Sequence, residues 1–567
     1  MDLEYLSRYI YEKEEMKVSY YYSYLTLGYI FFACQPSADL DSNQLSSASQ
    51  HINAEGLSEH IQVLASDDFQ GRLPFTLGEE KTVNYIEEQF KSLGLQPGNG
   101  NSFFQEVPLV EITSQVTGDL ILANAQDSIS IKPIYGDEFV ALTRRVQENI
   151  VVAGSPLVFA GYGIVAPEYN WNDYEGIDVK GKTVVVMVND PGYGSDDNSF
   201  FKGNTMTYYG RWTYKYEEAA RQGATGVLIV HDTGPAGYPW GVVKGGWSGP
   251  NQYMKAADNN QSRCAFEGWL SLEATKKMLK FAQVDTTILD RAKAPGFKSE
   301  PLNNLKVWLE LSNQTKEDVS RNVVGLYPGT DRPDEYIIYT GHWDHLGIGE
   351  AVNGDSIYNG AQDNASGIAA MIEIAEAFSI AEEKPKRSIV FLAVTAEEQG
   401  LLGSAYYAAN PIYPPKETVA NINMDALATF GATKDLIVVG YGQSELDEYA
   451  EAAAKKQDRY IVPDLEPEKG FFFRSDHFNF AKIGIPALYA EGGFDSREHG
   501  KEWGQEQKDK FTNDNYHQAS DEFDPSWDLS GMVEDSQLFF EVGYQLSRED
   551  IFPKWKEGSE FKAARDE

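Results

Sequence analysis

Basic residues and cysteines are scarce in this chain. Lys and Arg number 48 against 86 Asp and Glu, a net charge of −38 over 567 residues. That balance excludes a nucleic-acid partner, whose phosphates are held by Lys and Arg, and it excludes a basic membrane-surface patch. The acidity is spread along the sequence rather than gathered in a tail, so it reads as solubilising surface. The two cysteines, Cys34 and Cys264, cannot build a disulfide framework. No solenoid-period repeat is present. No Gly-rich or basic stretch suits a phosphate cradle, which sets aside a two-metal phosphoesterase. What is plentiful is core material: 42% apolar and 13% aromatic residues, enough for the two or three domains that this length implies.

The N-terminus reads as a targeting segment. Residues 16–34 (MKVSYYYSYLTLGYIFFAC) give a basic start, an apolar Tyr-rich run and Ala33-Cys34. The run is short for a membrane span and fits a secretory leader. A small residue before Cys resembles a bacterial lipoprotein signal, which implies a lipidated Cys34, a membrane tether and a place in the periplasm or cell envelope. Plain signal cleavage and secretion is the alternative. Residues 1–15 are acidic, wrong for such a leader, and Met16 is read as an alternative start. Residues 35–51 are polar and Ser-rich, like a tether.

A first folded segment is expected over 52–150, with helices in LSEHIQVLASDDFQGR and EEKTVNYIEEQFKSLGL. Asp67, Asp68 and Arg72 are read as caps and a buried ion pair. Residues 151–290 differ in texture, with short apolar strands, many Gly and Tyr, and one helix (YKYEEAARQGA). They read as a small β-rich module. Tyr238, Trp240, Trp247 and Tyr253 there either line a cleft or simply pack. His231 stands alone and reads as structural. Residues 283–318 are taken as a mixed connector within a main segment, 291–552, that alternates strand and helix, and 553–567 as a polar tail. The fold class is α/β, a three-layer arrangement with a mostly parallel sheet.

The chemistry gathers between Tyr339 and Asp425. His342 and Asp344 follow the apolar run EYIIYT, Glu397 and Glu398 follow SIVFLAVTA, and Asp425 follows VANINM. Asp363 lies in the loop before ASGIAAMIEIAEAF. Parallel α/β sheets place chemistry outside the carboxyl ends of their strands, so these clusters converge on one site. Carboxylates with imidazole and no Cys suit zinc or a similar divalent ion. Asp344, two residues from His342 on the same side of a strand, is expected to receive the other imidazole N–H. His345 points the other way and reads as supporting or surface. Of Glu397 and Glu398, one ligates and the other is a general base. His477 and His517 compete for the last ligand position.

The array GHWDH, GAQDNASG, TAEEQGLLGS, NMD, SDHFNF and YHQASD resembles the M28-like di-zinc aminopeptidases, co-catalytic zinc exopeptidases. The module at 151–290 is similar to the protease-associated domain inserted in such enzymes. The resemblance implies a zinc-exopeptidase fold, two Zn2+ per chain and peptide substrates. It implies His342 and Asp425 on one zinc, Glu398 and His517 on the other, Asp363 bridging, and Glu397 as the general base. His477 and Asp476 fall on the substrate side, with His477 placed to steady an oxyanion. Asn364 stands where the family usually has Asp, and the peptide bond after Asp363 is often cis in relatives. Phe471 to Phe473, Phe478 and Tyr489 either shape an apolar pocket or belong to the core. Arg474 and Arg497 stand apart in sequence, which favours an aminopeptidase over a glutamate-carboxypeptidase-like enzyme. A non-catalytic binding protein and a single-zinc glutaminyl-cyclase-like acyltransferase on the same fold are the other readings.

Overall fold

The strand that holds the molecule together is Glu300–Tyr327, 28 residues long. In the computed structural model, which describes residues 45–124 and 129–566, it occupies the second half of the expected connector. Its first half pairs antiparallel with Ile121–Asn124 and Asn149–Phe159, its middle with Phe104–Val116, and its end with Arg387–Val394. The alternation was in the sequence: Leu305, Val307, Leu309 and Leu311 are all buried, and side chains two apart share a sheet face. The scattered Asn, Lys and Glu between them are its solvent face. The inserted module is therefore continuous through this strand with the main sheet.

The C-terminal segment carries the three-layer pattern expected of it. Arg332–His342 lies between Arg387–Val394 and Thr418–Asn423, parallel to both, and Thr418–Asn423 is in turn parallel to Ala487–Gly492. Asp435–Val439 pairs antiparallel with Ala487–Gly492 and parallel with Tyr460–Pro463 at the edge. The central strands are buried throughout, as near-continuous apolar runs in parallel sheets should be. Ser366–Ile380 packs on this sheet, with Ala54–Leu64 and Ser530–Arg548 beside it. In the inserted module, Gly226–His231 is parallel to both Thr183–Met187 and Phe266–Ser271. A polar helix, Lys501–Lys510, was not foreseen, since it has almost no apolar stripe to announce it.

Residues 1–44, with the leader and Cys34, lie outside the described residues. Among those described, no helix is long and apolar enough to cross a membrane. Both expected polar ends need correction. Residues 45–51 are docked, with Ser49 fully buried and the Ser46 N–H donating to Glu541. In the tail, Trp555 and Phe561 are buried with Phe472, and the Trp555 indole donates to the Gly484 carbonyl.

One buried carboxyl in the helical layer carries a stability prediction. Glu373 is 4% exposed and faces Gly56, where an added Cβ would lie 2.1 Å from its Oε1. Burial raises its carboxyl from 4.5 to about 7. A raised folded pKa contributes stability that is fully present below pH 4.5 and lost as pH rises through 7. Glu373→Gln should therefore match the wild type near the lower bound and exceed it by about 2–3 kcal/mol at pH 8. Denaturant melts of both proteins with chelator present test this, and a pH-independent difference would refute it.

Candidate metal centre

The site forms where the parallel strands end. His342 closes its strand, Glu397 and Glu398 follow Arg387–Val394, and Asp425 follows Thr418–Asn423. His342 and Val394 are in register, as are Thr340 and Asn423, so three strand ends meet at one level. Asp363 reaches the same place from the loop before Ser366–Ile380. Gly360 in that loop has φ +57°, and a Cβ there would lie 2.3 Å from the Asp363 carbonyl. The Asp363–Asn364 peptide bond is cis.

Two groups of ligand atoms result, and Asp363 belongs to both. His342 Nε2 is 3.2 Å from Asp363 Oδ1 and 3.2 Å from Asp425 Oδ1. His517 Nε2 is 3.4 Å from Asp363 Oδ2 and 2.9 Å from Glu398 Oε2. Each oxygen of Asp363 thus faces a different imidazole. Hard oxygens and imidazoles at this spacing, buried together, fit divalent cations of the zinc type.

His345 is the residue that sequence reasoning underrated. It is fully buried, and its Nδ1 lies 2.7 Å from Glu398 Oε1. His345, Asp363 and Glu398 also form a ligand-type group. Two imidazoles therefore approach opposite oxygens of Glu398. His517 and Glu398 line the open cavity and His345 does not, so of the two imidazoles His517 is the one that faces the cavity.

The surrounding polar groups fix these side chains. Asp344 was expected to take the His342 N–H on its carboxylate. Instead His342 Nδ1 meets the Asp344 backbone carbonyl at 3.1 Å, and the carboxylate accepts from the backbone N–H groups of Glu397 and Glu398. Asp344 thus positions the two glutamates, and burial pushes its carboxyl up to about 7. Ser475 donates to Asp425 Oδ2 at 2.5 Å and accepts from Asn423. Asn364 accepts from the N–H groups of Gly367 and Ala426 and donates to the Met424 carbonyl. An amide there does what a carboxylate could not, since it donates as well as accepts. Asp521 accepts from the N–H groups of Gln362 and Asp363, and burial raises it to about 6.

Glu397 sits at the mouth. Its Oε2 is 3.9 Å from His342 Nε2. Burial drives its carboxyl well above the usual range, His342 opposes this, and Asp425, Glu398 and Asp476 add to it. Glu398 is held low, at about 2: burial would raise it, but His517 beside it prevails.

The substrate-side expectation for His477 and Asp476 needs correction. His477 is fully buried between the rings of Phe472 and Tyr489, and burial pulls it down to about 3, so it is neutral. Asp476 is buried and accepts from Ser404 Oγ at 2.5 Å. Neither lines the cavity; the SDH signature sits behind the wall. Of the module's aromatics, Tyr253 lines the cavity, whereas Trp240 and Trp247 pack around Trp269. Phe473 and Phe478 serve both purposes, buried in a core cluster and bordering the cavity.

Comparison with known proteins finds metallopeptidases. The sequence model of peptidase family M28 matches residues 322–540. The chain is 34% identical over 147 residues to aminopeptidase NAALADL1 of Mus musculus, covering 24% of this chain and 18% of that protein. It is 41% identical over 87 residues to a probable zinc metalloprotease of Pyricularia oryzae, covering 15% of this chain and 17% of that one. The matched stretch thus spans less than a fifth of either relative. Among solved structures, an aminopeptidase from Aneurinibacillus sp. strain AM-1 superposes with a TM-score of 0.50 at 21% identity, over 89% of this chain and 96% of that one. The overall fold is shared with that enzyme, and the strand-end site lies wholly within the residues that match the model of peptidase family M28.

Proposed function

We propose that this protein is an exported di-zinc aminopeptidase that removes N-terminal residues from peptides. The observation that carries the reading is Asp363, whose two oxygens face two separate imidazole–carboxylate groups. His342, Asp363 and Asp425 would hold one zinc; Asp363, Glu398 and His517 the other. When bound, such a pair supplies Lewis acidity, lowering the pKa of water and polarising a carbonyl. The protein's own part falls to Glu397. Its carboxylate takes the proton of the attacking water and returns it to the departing amine nitrogen. Asp344 holds the glutamate backbone in register, and His345 holds the oxygen of Glu398 that faces away from His517.

The test is hydrolysis of aminoacyl-anilides by the full chain before and after chelation. We expect chelator to abolish cleavage, zinc to restore it, and metal content to approach two ions per chain. Full metal content with no cleavage from the amino end would move the reading to the carboxypeptidase side of the family. One ion per chain would exclude the bridging role of Asp363.

A further inference from the structure

The cavity in front of Glu397 is built by both parts of the chain and is positively charged where the rest of the protein is acidic. Its volume is about 300 Å3, the scale of a small-ligand site. The inserted module supplies Arg211 and Arg263, the first segment supplies Arg144, and the main segment supplies Arg474 and Lys482, opposite Glu397, Glu398 and His517. The module is firmly docked here. The Met206 N–H donates to the Pro467 carbonyl, the Gln252 N–H donates to Gln399 Oε1, and the Tyr208 ring packs on Phe478.

Most charges around the cavity are spoken for. Arg144 lies 2.7 Å from Glu267 Oε2. Glu217 accepts from the Tyr208 hydroxyl. Arg211 and Arg474 are different. Arg211 Nε and both Nε and Nη2 of Arg474 are sealed from solvent without a hydrogen-bond partner among the described residues. Neither guanidinium makes an ion pair there. Arg474 lies over the faces of Phe471 and Tyr238, which leaves its N–H edge free. Burial and the nearby charge of Arg474 pull Arg211 down to about 10, so it remains a cation. Two unpaired guanidiniums brought close together and away from water are costly. They are a good site for a planar anion, since a guanidinium's fork matches a carboxylate. The pair also lies next to the reacting centre: Arg474 is within electrostatic reach of Tyr516, whose ring stacks on His517 at 3.9 Å.

We propose that Arg211 and Arg474 form a carboxylate-binding subsite, and that this enzyme acts on short peptides presenting a carboxylate close to the scissile bond. The subsite rests on the aminopeptidase reading for its place in the reaction but not for its chemistry. The carboxylate comes either from the free C-terminus of a di- or tripeptide or from an acidic side chain. The two arginines come from segments more than two hundred residues apart, which is why Arg474 looked isolated in the sequence. The inserted module thereby becomes part of substrate selection.

The test compares Ala-Ala with Ala-Ala-amide, and Ala-Glu-amide with Ala-Gln-amide, on the zinc-loaded full chain. Wild type should favour the carboxylate-bearing member of at least one pair by roughly tenfold or more in kcat/KM. The first pair reports a terminal carboxylate and the second a side chain. Arg211→Ala and Arg474→Ala should each bring that ratio towards one, mainly through KM, and Arg211→Lys should restore part of it. A ratio near one in wild type for both pairs, or an undiminished ratio in both variants, would overturn the proposal. If nothing is cleaved, the aminopeptidase reading fails but the subsite is still measured. Reduced-bond analogues of the same four peptides are titrated against the zinc-loaded protein by calorimetry. The carboxylate-bearing analogue should bind roughly tenfold tighter, and the preference should disappear in Arg211→Ala. Equal binding of acid and amide would refute the subsite independently of turnover.

Discussion

Glu397→Gln is expected to lower kcat/KM by roughly a thousandfold, within the range that general acid–base groups contribute, with no loss of bound metal. The substitution removes one thing, a carboxylate able to accept and return a proton. The amide has the same shape, and the Asp344 carboxylate that holds this turn bonds to the backbone N–H of residue 397 rather than to its side chain. The fold should not suffer, because Glu397 is already a destabilised anion among Asp425, Glu398 and Asp476, and a neutral side chain relieves that repulsion. Metal content and melting midpoint are measured beside the kinetics. Lost activity with full metal content assigns the proton transfer to Glu397. Lost metal would show that the adjacent glutamates have exchanged roles, with Glu397 ligating. Undiminished turnover would refute a general base at this position.

That adjacent pair shows what a sequence makes legible. Two glutamates at a strand end announced a ligand and a base, because neighbouring side chains cannot share one job. The same logic found His342, Asp363 and Asp425, each directly after an apolar run or before a buried helix. The mostly parallel, layered character of the C-terminal segment followed from long apolar segments with helices between them. What stayed hidden depended on contacts between distant residues. His345 was turned away from His342 by strand alternation and read as supporting or surface, but the strand ends at His342, and the rule no longer applies three residues on. Asp344 was paired with the correct histidine through the wrong atom, because a backbone carbonyl leaves no trace in composition. His477 looked like a site residue because it neighbours an acid in a recognisable motif, whereas the helix His477–Lys482 turns it into an aromatic wall. Arg211 and Arg474 lie on either side of the inserted-module boundary, and no local pattern unites them.

Arg72 belongs with these hidden residues, and replacing it should have a large effect on stability. It was expected to form an ion pair at a turn. Instead it is 1% exposed and donates only to backbone carbonyls: Nε to Trp343 at 2.8 Å, Nη1 to Leu64 at 2.8 Å and Asn359 at 2.6 Å, and Nη2 to Gly360 at 2.8 Å. Trp343 lies between His342 and Asp344, and Gly360 opens the loop that presents Asp363. One guanidinium therefore ties together the two backbone segments that carry ligands to both groups of the site. Its charge also lies near Asp521, Asp344, Asp363 and Glu398, all of which favour keeping it ionised although burial pulls it down to about 10. Arg72→Met keeps the aliphatic stem and removes every donor. Each stranded carbonyl costs about 1–3 kcal/mol, so a loss of roughly 3 kcal/mol or more is expected even if the loops relax towards water. Zinc affinity should fall about 10–100-fold, as when other supports of ligating side chains are removed. Arg72→Lys, which can reach one or two of the four carbonyls, should fall between. The measurement is zinc affinity by competition with a coloured chelator, together with the melting midpoint of the metal-free protein. A lowered midpoint with unchanged zinc affinity would mean that Arg72 supports the fold alone. Loss of both, graded from Lys to Met, would make this arginine the link between the N-terminal segment and the metal centre.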